Sequence, residues 1–188
     1  MKKLIIASNN KGKIAEIAKI LEGRFEVVSM RDAGLNIDIA ETGMTFEENA
    51  IIKARECYRL TGFAALADDS GLEVMALGGA PGVYSARYGG GDEDNIDLLL
   101  KNMEGVENRR ARFVCVMALC EGGKIVLGRG ETAGDILRER VGTGGFGYDS
   151  VFLSRELGIS FGFATADAKN SVSHRRRALD DLLENIKN

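Results

Sequence analysis

The amino-acid sequence predicts an α/β fold. The prediction rests on short apolar runs that alternate with segments of helical periodicity, separated by polar or glycine-rich loops. Residues 4–7 and 25–30 have the composition of buried strands, and the stretch between them places Ile14, Ile17 and Leu21 on one helical face. The 188 residues are enough for one domain or for two closely joined lobes.

The composition argues against several classes of protein. A hydrophobic content of 45% and a charged content of 28% are typical of soluble globular proteins. The net charge of -3 provides no basic surface for nucleic acid, and no apolar run approaches the ~20 residues that span a bilayer, so we expect neither partner. Cys57, Cys115 and Cys120 lie in apolar stretches and the chain has one histidine. We therefore expect reduced core thiols and a cytoplasmic protein rather than a zinc site.

The N-terminal half contains two loops that precede helices. Residues 8–13 predict a polar loop after the first strand, an arrangement that points helix N-terminal amides at an anion, although a loop that only caps the helix explains it equally well. Residues 36–40 suggest another strand. Thr45 and Glu48 then have the spacing of a capping box and predict the start of a helix. On that helix Asn49 and Lys53, four apart, share a face.

The C-terminal half alternates in the same way. Asp92 could cap a helix with apolar side chains on one face. Residues 112–119 and 124–127 predict two strands joined as a hairpin through residues 121–123. Residues 171–186 have the periodicity of a final helix.

The rest of the chain is organised around residues 66–91. An apolar run over residues 63–67 ends in Asp-Asp-Ser-Gly, which predicts a short strand that delivers Asp68 and Asp69 to a turn. A divalent cation, a buried proton or a neighbouring lysine would relieve the repulsion between the two carboxylates. A glycine-rich loop leads on to Arg87, whose guanidinium suits phosphate oxygens. The combination indicates metal-assisted phosphoryl chemistry, while a solvated turn is the alternative for the aspartates alone.

Two further segments suggest ligand contacts. Residues 141–147 are rich in glycine, so the ring of Phe146 either stacks on a flat ligand or anchors the loop. The last helix carries a basic cluster, residues 174–177, in its first turn, where positive charge opposes the helix dipole. This placement suggests an anionic partner, although a solvated cluster balanced by the aspartates of the same helix remains the alternative.

Taken together, these segments resemble the inosine triphosphate pyrophosphatases, which act on non-canonical purine nucleoside triphosphates. The resemblance follows the same order along nearly the whole chain and rests on residues 8–13, 41–50, 53–54, 67–72, 79–87, 144–149 and 173–175. Two positions depart from the usual pattern, because Ser150 stands where a proline is common and Arg176 where a glycine is common. Arg176 could therefore alter the rim of the base pocket.

The resemblance implies a fold and an activity. It implies an elongated mixed β-sheet flanked by helices, with two lobes around a central cleft, and a single catalytic domain over residues 1–188, usually in a homodimer. It also implies Mg2+-dependent hydrolysis of the triphosphates of inosine, deoxyinosine and xanthosine to the monophosphate and pyrophosphate. Such enzymes remove deaminated purines from the nucleotide pool.

The resemblance also assigns catalytic roles to individual residues. Glu41 and Asp69 would hold Mg2+, with Asp68 in support, since this cation binds one or two carboxylates together with phosphate oxygens and water. Asp69 would also be the base that activates the attacking water. Lys53 would neutralise charge that develops on phosphate.

The remaining matched residues would bind the substrate. The phosphates would be bound by Ser8, Asn9, Asn10, Lys11, Gly12, Lys13 and Arg87, and Ser70 would donate to a phosphate or ribose oxygen. The purine would be bound by Phe146, Gly147, Tyr148, Asp149, Lys169, His174 and Arg175. Phe146 would stack on the base, and Arg175 would donate to the C6 carbonyl that hypoxanthine and xanthine have and adenine lacks.

Two other functions remain open from the sequence. One is a Maf-type pyrophosphatase acting on modified pyrimidine nucleotides, against which the segments around Phe146 and His174 argue. The other is a nucleotide-binding sensor without turnover. A sensor is argued against by the joint presence of Glu41, Lys53, Asp68 and Asp69, because binding alone requires no carboxylate that activates water.

Overall fold

The computed structural model, which describes residues 1–187, contains a six-stranded sheet with the strand order β2-β1-β3-β4-β5-β6. The strands are β1 Lys2–Ile6, β2 Phe25–Ser29, β3 Ala65–Val74, β4 Arg110–Glu121, β5 Lys124–Ile136 and β6 Phe152–Ser154. The helices are α1 Lys11–Ile20, α2 Phe46–Thr61, α3 Asp92–Asn102, α4 Ala166–Val172 and α5 His174–Asn185. β1 pairs in parallel with β2 and β3, and β5 pairs antiparallel with β6, so the sheet is mixed. The predicted α/β class, a mixed sheet with helices, is confirmed.

Local sequence signals account for several elements. α2 begins as predicted, because the Thr45 side chain accepts a hydrogen bond from the Glu48 amide at 3.1 Å. β4 and β5 form the predicted hairpin through Gly122 and Gly123, whose φ angles of 55° and 76° are those that a two-residue turn requires.

Several elements differ from the sequence prediction. The polar loop ends at Asn10, which caps α1, so residues 11–13 form the first helical turn. Residues 36–40 form no strand. Gly91, rather than Asp92, occupies the N-cap of α3. The predicted final helix is two helices, because Ser173 has extended backbone angles between α4 and α5.

The chain divides into two compact units. The first comprises residues 1–69, 115–130 and the segment from Arg175 onward, and the second comprises residues 70–114 and 131–174. β3, β4 and β5 contribute residues to both units. Each unit has its own apolar core. The first is built mainly by β1, α1, β4 and α5, and the second by α3, β6 and the aromatic side chains Phe113, Tyr148, Phe152 and Phe161. The single-domain interpretation stays a prediction.

The cysteines are buried free thiols, as predicted. Burial raises the pKa of Cys57 to about 11 and that of Cys115 to about 12, which keeps both thiols protonated near neutral pH. Within residues 1–187, no helix is long and apolar enough to cross a membrane.

Candidate active site

A buried lysine joins the acidic side chains of the first unit. Lys53 Nζ donates to Glu41 Oε1 at 2.6 Å and to the main-chain oxygen of Asp68 at 2.7 Å. The same ammonium lies 3.7 Å from Asp69 Oδ1. α2 therefore delivers Lys53 to Glu41 and Asp69, as expected for the helix that follows Glu41.

The charges in this cluster are strongly coupled. Burial by itself would lower the pKa of Lys53, but the nearby charges of Asp69, Asp68 and Glu41 outweigh burial and raise it above its ordinary value. Burial raises the pKa of Asp69, Lys53 opposes that shift, and Glu41 adds to it. Lys53 therefore remains a cation, while Asp69 binds a proton more readily than an exposed aspartate does.

Asp68 and Asp69 have separate partners. Asp68 Oδ2 lies 3.1 Å from Lys13 Nζ and 3.4 Å from Arg175 Nε, and its side chain is completely buried. Burial would raise the pKa of Asp68, but Lys13, Arg175 and Lys53 hold it well below its usual range. Asp68 and Asp69 have different partners because β3 continues to Val74, so that consecutive side chains point to opposite faces of the strand. The prediction that the strand ends before the two aspartates was wrong.

The donor set fits a magnesium ion only in part. Among residues 1–187, no group of three or more His, Cys, Asp or Glu side chains is arranged to hold a metal. Glu41 and Asp69 share Lys53 and are close enough for the charge of Glu41 to raise the Asp69 pKa. Two carboxylates suit Mg2+, which retains water and phosphate oxygens as its other ligands. The Asp68 carboxylate contacts Lys13 and Arg175, and its predicted support for the cation stays a prediction.

Arg175 lies in an acidic environment that the sequence did not suggest. Its guanidinium is buried, donates from Nη1 to Glu16 and contacts Asp68. The guanidinium thus lies between two carboxylates, and its predicted role at the purine stays a prediction. Glu16 lies 159 residues from Arg175 in the sequence, so its only signal was a position three residues after Lys13 on the first helix.

The predicted phosphate loop borders a cavity of about 310 Å3 in the first unit. Ser8, Asn9 and Lys11 line this cavity together with Arg31, which follows β2 and had not been singled out in the sequence. The Ser8 hydroxyl accepts from the Asn10 amide at 3.1 Å, and the Asn10 side chain accepts from the Lys13 amide at 3.1 Å. The loop is thus ordered by its own side chains, and Lys13 points to Asp68 rather than into solvent.

Three residues predicted for the purine meet in the second unit. Asp149 Oδ2 accepts hydrogen bonds from Lys169 Nζ at 2.6 Å and from the Phe146 amide at 2.9 Å. Lys169 Nζ also lies 4.6 Å from the centre of the Phe146 ring. Both charged side chains are buried, so Phe146, Asp149 and Lys169 form one cluster.

Five other predicted residues are spread through the second unit. The hydroxyl of Tyr148 donates to the Ser85 carbonyl at 2.7 Å, and the His174 ring stacks on Phe113 with ring centres 4.9 Å apart. The guanidinium of Arg87 is exposed and lies 5.2 Å from the centre of the Tyr84 ring. Gly147 begins a short 3-10 helix, and Ser70 lies within β3.

Arg176, which stands where a glycine is common in the family that the sequence resembles, has a partner on its own helix. Arg176 Nε donates to Asp180 at 2.8 Å, one turn further along α5. This pair offsets part of the positive charge at the start of α5.

The fold and these clusters define a class of mixed α/β protein in which a lysine joins two carboxylates beside a loop suited to anions. The chain belongs to the Ham1 family, whose model matches residues 4–185. A dITP/XTP pyrophosphatase from Bacillus licheniformis is 47% identical, with 97% of this chain and 96% of that protein covered. A dITP/XTP pyrophosphatase from Geobacter sulfurreducens is 49% identical, with 99% and 97% covered. The solved structure of the Staphylococcus aureus Ham1 protein has a TM-score of 0.88 and 38% identity, and covers 99% of this chain and 98% of its own.

Proposed function

We propose that this chain hydrolyses the triphosphates of inosine, deoxyinosine and xanthosine to the nucleoside monophosphate and pyrophosphate, and so removes deaminated purines from the nucleotide pool. The names of the relatives supply the substrate class. The observation that carries the chemistry is the contact of one buried ammonium, Lys53 Nζ, with both Glu41 and Asp69. A base, a cation and a second carboxylate in one cluster are the groups that phosphoanhydride hydrolysis requires.

In this proposal Asp69 is the general base. A carboxylate oxygen of Asp69 accepts the proton of the attacking water, and its raised pKa makes it a stronger base than an exposed aspartate. Lys53 stays protonated and donates to a phosphate oxygen as negative charge develops there. The bond between the α and β phosphates breaks. The water oxygen and one of its protons become part of the products, and Asp69 takes the other proton and releases it to solvent.

Glu41 and Asp69 are the proposed magnesium ligands. A bound Mg2+ would neutralise phosphate charge and lower the pKa of a coordinated water. The polyphosphate would be bound by residues 8–13, the loop before α1 and the first turn of that helix, whose hydroxyl, amides and ammonium groups suit phosphate oxygens.

The purine would be bound by the cluster of Phe146, Asp149 and Lys169. An aromatic face offers stacking, while a buried ammonium and carboxylate offer one donor and one acceptor to the base edge. Hypoxanthine and xanthine present an acceptor at C6 where adenine presents a donor, and a buried unmatched polar group costs about 1–3 kcal/mol. Within this cluster, Lys169 is the candidate donor to that carbonyl. We further propose a homodimer in the cytoplasm, which sedimentation of the purified protein and fractionation of cells would test.

One assay tests the proposed function against its alternatives. Pyrophosphate release is measured from inosine, xanthosine, adenosine and guanosine triphosphates and from modified pyrimidine triphosphates, each with Mg2+ and with excess EDTA. Preference for the deaminated purines supports the proposal. Preference for modified pyrimidines would favour the Maf-type alternative, and tight nucleotide binding without release would favour a sensor. The variant Asp69→Asn serves as the control for contaminating activity.

A further inference from the structure

A buried amide connects the proposed base to the loop that carries the second carboxylate. Asn49 lies in the first turn of α2 and is completely buried. Its Nδ2 donates to Asp69 Oδ2 at 3.1 Å, and its Oδ1 accepts from the Gly43 amide at 2.8 Å. The orientation of the amide follows from chemistry, because the carboxylate can only accept and the Gly43 N–H can only donate.

Asp69 is thereby held at both oxygens. Oδ1 faces the Lys53 ammonium and Oδ2 accepts from Asn49, so rotation of the carboxylate would break one contact or both. Asn49 and Lys53 lie one turn apart on α2, which makes one rigid helix the common support of both partners.

The other end of the Asn49 amide fixes the loop of Glu41. Gly43 lies directly against α2, since a Cβ there would be 2.6 Å from Glu48 Cβ and 2.7 Å from Asn49 Oδ1. Only glycine permits this approach. Because Glu41 is two residues before Gly43, the bond to Asn49 restrains the loop segment from which the Glu41 side chain extends.

The chain contains a matched arrangement without a carboxylate. Asn95, buried in the first turn of α3, accepts from the amide of Gly89, again six residues earlier. Its Nδ2 donates to the main-chain oxygen of Ala86. Both asparagines therefore fix a glycine loop to a helix start, but only Asn49 uses its donor on an acidic side chain.

We propose that Asn49 is a positioning residue that presets the Asp69 carboxylate and the Glu41 loop for a divalent cation. This inference rests on the proposed function, in which Asp69 and Glu41 are the ligands. Asn49 itself contacts neither substrate nor metal in the proposal.

The test compares Asn49→Leu with Asn95→Leu, because each change removes a buried amide that accepts from a glycine N–H six residues earlier. Three quantities are measured: the midpoint of thermal unfolding, the Mn2+ affinity by electron paramagnetic resonance with a non-hydrolysable imido analogue of inosine triphosphate, and kcat and KM. We expect both variants to lower the unfolding midpoint. Only Asn49→Leu should lower the Mn2+ affinity, by about tenfold or more, and kcat more than KM. Equal Mn2+ affinity in the two variants would overturn the proposal.

A second variant separates positioning from folding. Asn49→Asp keeps an acceptor for the Gly43 amide but replaces the donor to Asp69 with a like charge. We expect slow hydrogen exchange at Gly43 to persist while kcat falls by about tenfold or more, and wild-type kcat in this variant would overturn the proposal. The Mn2+ measurement is independent of turnover. An Mn2+ affinity that depends on Asn49, in a protein that releases no pyrophosphate, would keep the positioning role and reject the proposed function.

Discussion

Arg175→Ala should destabilise the first unit because it leaves the buried Asp68 and the half-buried Glu16 without their shared cation. Asp68 has no solvent exposure and the side chain of Arg175 is 2% exposed. Removal of one partner from a buried ion pair costs about 3–5 kcal/mol in the free energy of unfolding. For a chain of this size that loss lowers the unfolding midpoint by roughly 6–20 °C.

Thermal unfolding at pH 7, followed by circular dichroism, measures this effect. Arg59→Ala is the control, because Arg59 makes two hydrogen bonds to Glu56 at 2.8 and 2.7 Å but is exposed. We expect the control to shift the midpoint by about 2 °C or less, since solvent screens exposed pairs. Arg175→Lys should fall between the two, because a single ammonium cannot serve two carboxylates as the guanidinium fork does.

The competing role of Arg175 is recognition of the purine. If its guanidinium chiefly met the C6 carbonyl, Arg175→Ala would lower kcat/KM for inosine triphosphate roughly tenfold more than for adenosine triphosphate. An unfolding midpoint within about 2 °C of wild type, together with such a loss of discrimination, would refute the ion-pair argument. A lowered midpoint with equal loss on both nucleotides would instead remove Arg175 from the base pocket.

Four other outcomes are expected. Asp69→Asn should abolish pyrophosphate release while its circular dichroism spectrum stays that of the wild type, because the amide keeps the shape but cannot accept the proton. Activity should require Mg2+ or Mn2+, should be low with Ca2+ and should be absent in excess EDTA, since the reaction requires a cation with short metal–oxygen distances and octahedral coordination. The pKa of Asp68 is lowered in the folded protein, so the ionised Asp68 stabilises the fold above about pH 4, and this stabilisation is lost as the pH falls further. In Asp68→Asn the unfolding midpoint should therefore depend less on pH in this acidic range. Lys169→Met should raise KM for inosine triphosphate more than it lowers kcat, as measured by steady-state kinetics, because it removes a donor and leaves Asp149 buried without its cation.

The elements that the sequence predicted well are those with a strong local signal. The β4–β5 hairpin depends on two adjacent glycines, and the start of α2 on the spacing of Thr45 and Glu48, so each is specified within a few residues. The break at Ser173 was missed although the apolar pattern is interrupted there, since residues 173–177 are all polar and serine favours a helix start. Residues 36–40 have an apolar pattern but no neighbouring strand, and pairing cannot be deduced from a single segment.

The candidate site was predictable where its partners share a helix or strand. Asn49 and Lys53, four apart on α2, do meet at Asp69. The separation of Asp68 from Asp69 was missed because Ser70 and Gly71 resemble a turn, whereas the ladder of a long strand overrides that local preference. The contact of Glu16 with Arg175 depends on tertiary packing between α1 and α5, which no local pattern encodes.

The placement of α5 has a consequence for synthesis of this protein on the ribosome. Arg175 meets Asp68 across 107 residues of chain, and α5 also provides Ala178, Leu179 and Leu182 to the core of the first unit. A nascent chain therefore exposes the β1 and α1 surfaces, with Asp68 lacking one of its counter-charges, until α5 has been translated. Products of premature termination before Arg175 would lack both the cation and this apolar face. Quality-control proteases should consequently clear them, since their folding cannot be completed by the segments already made.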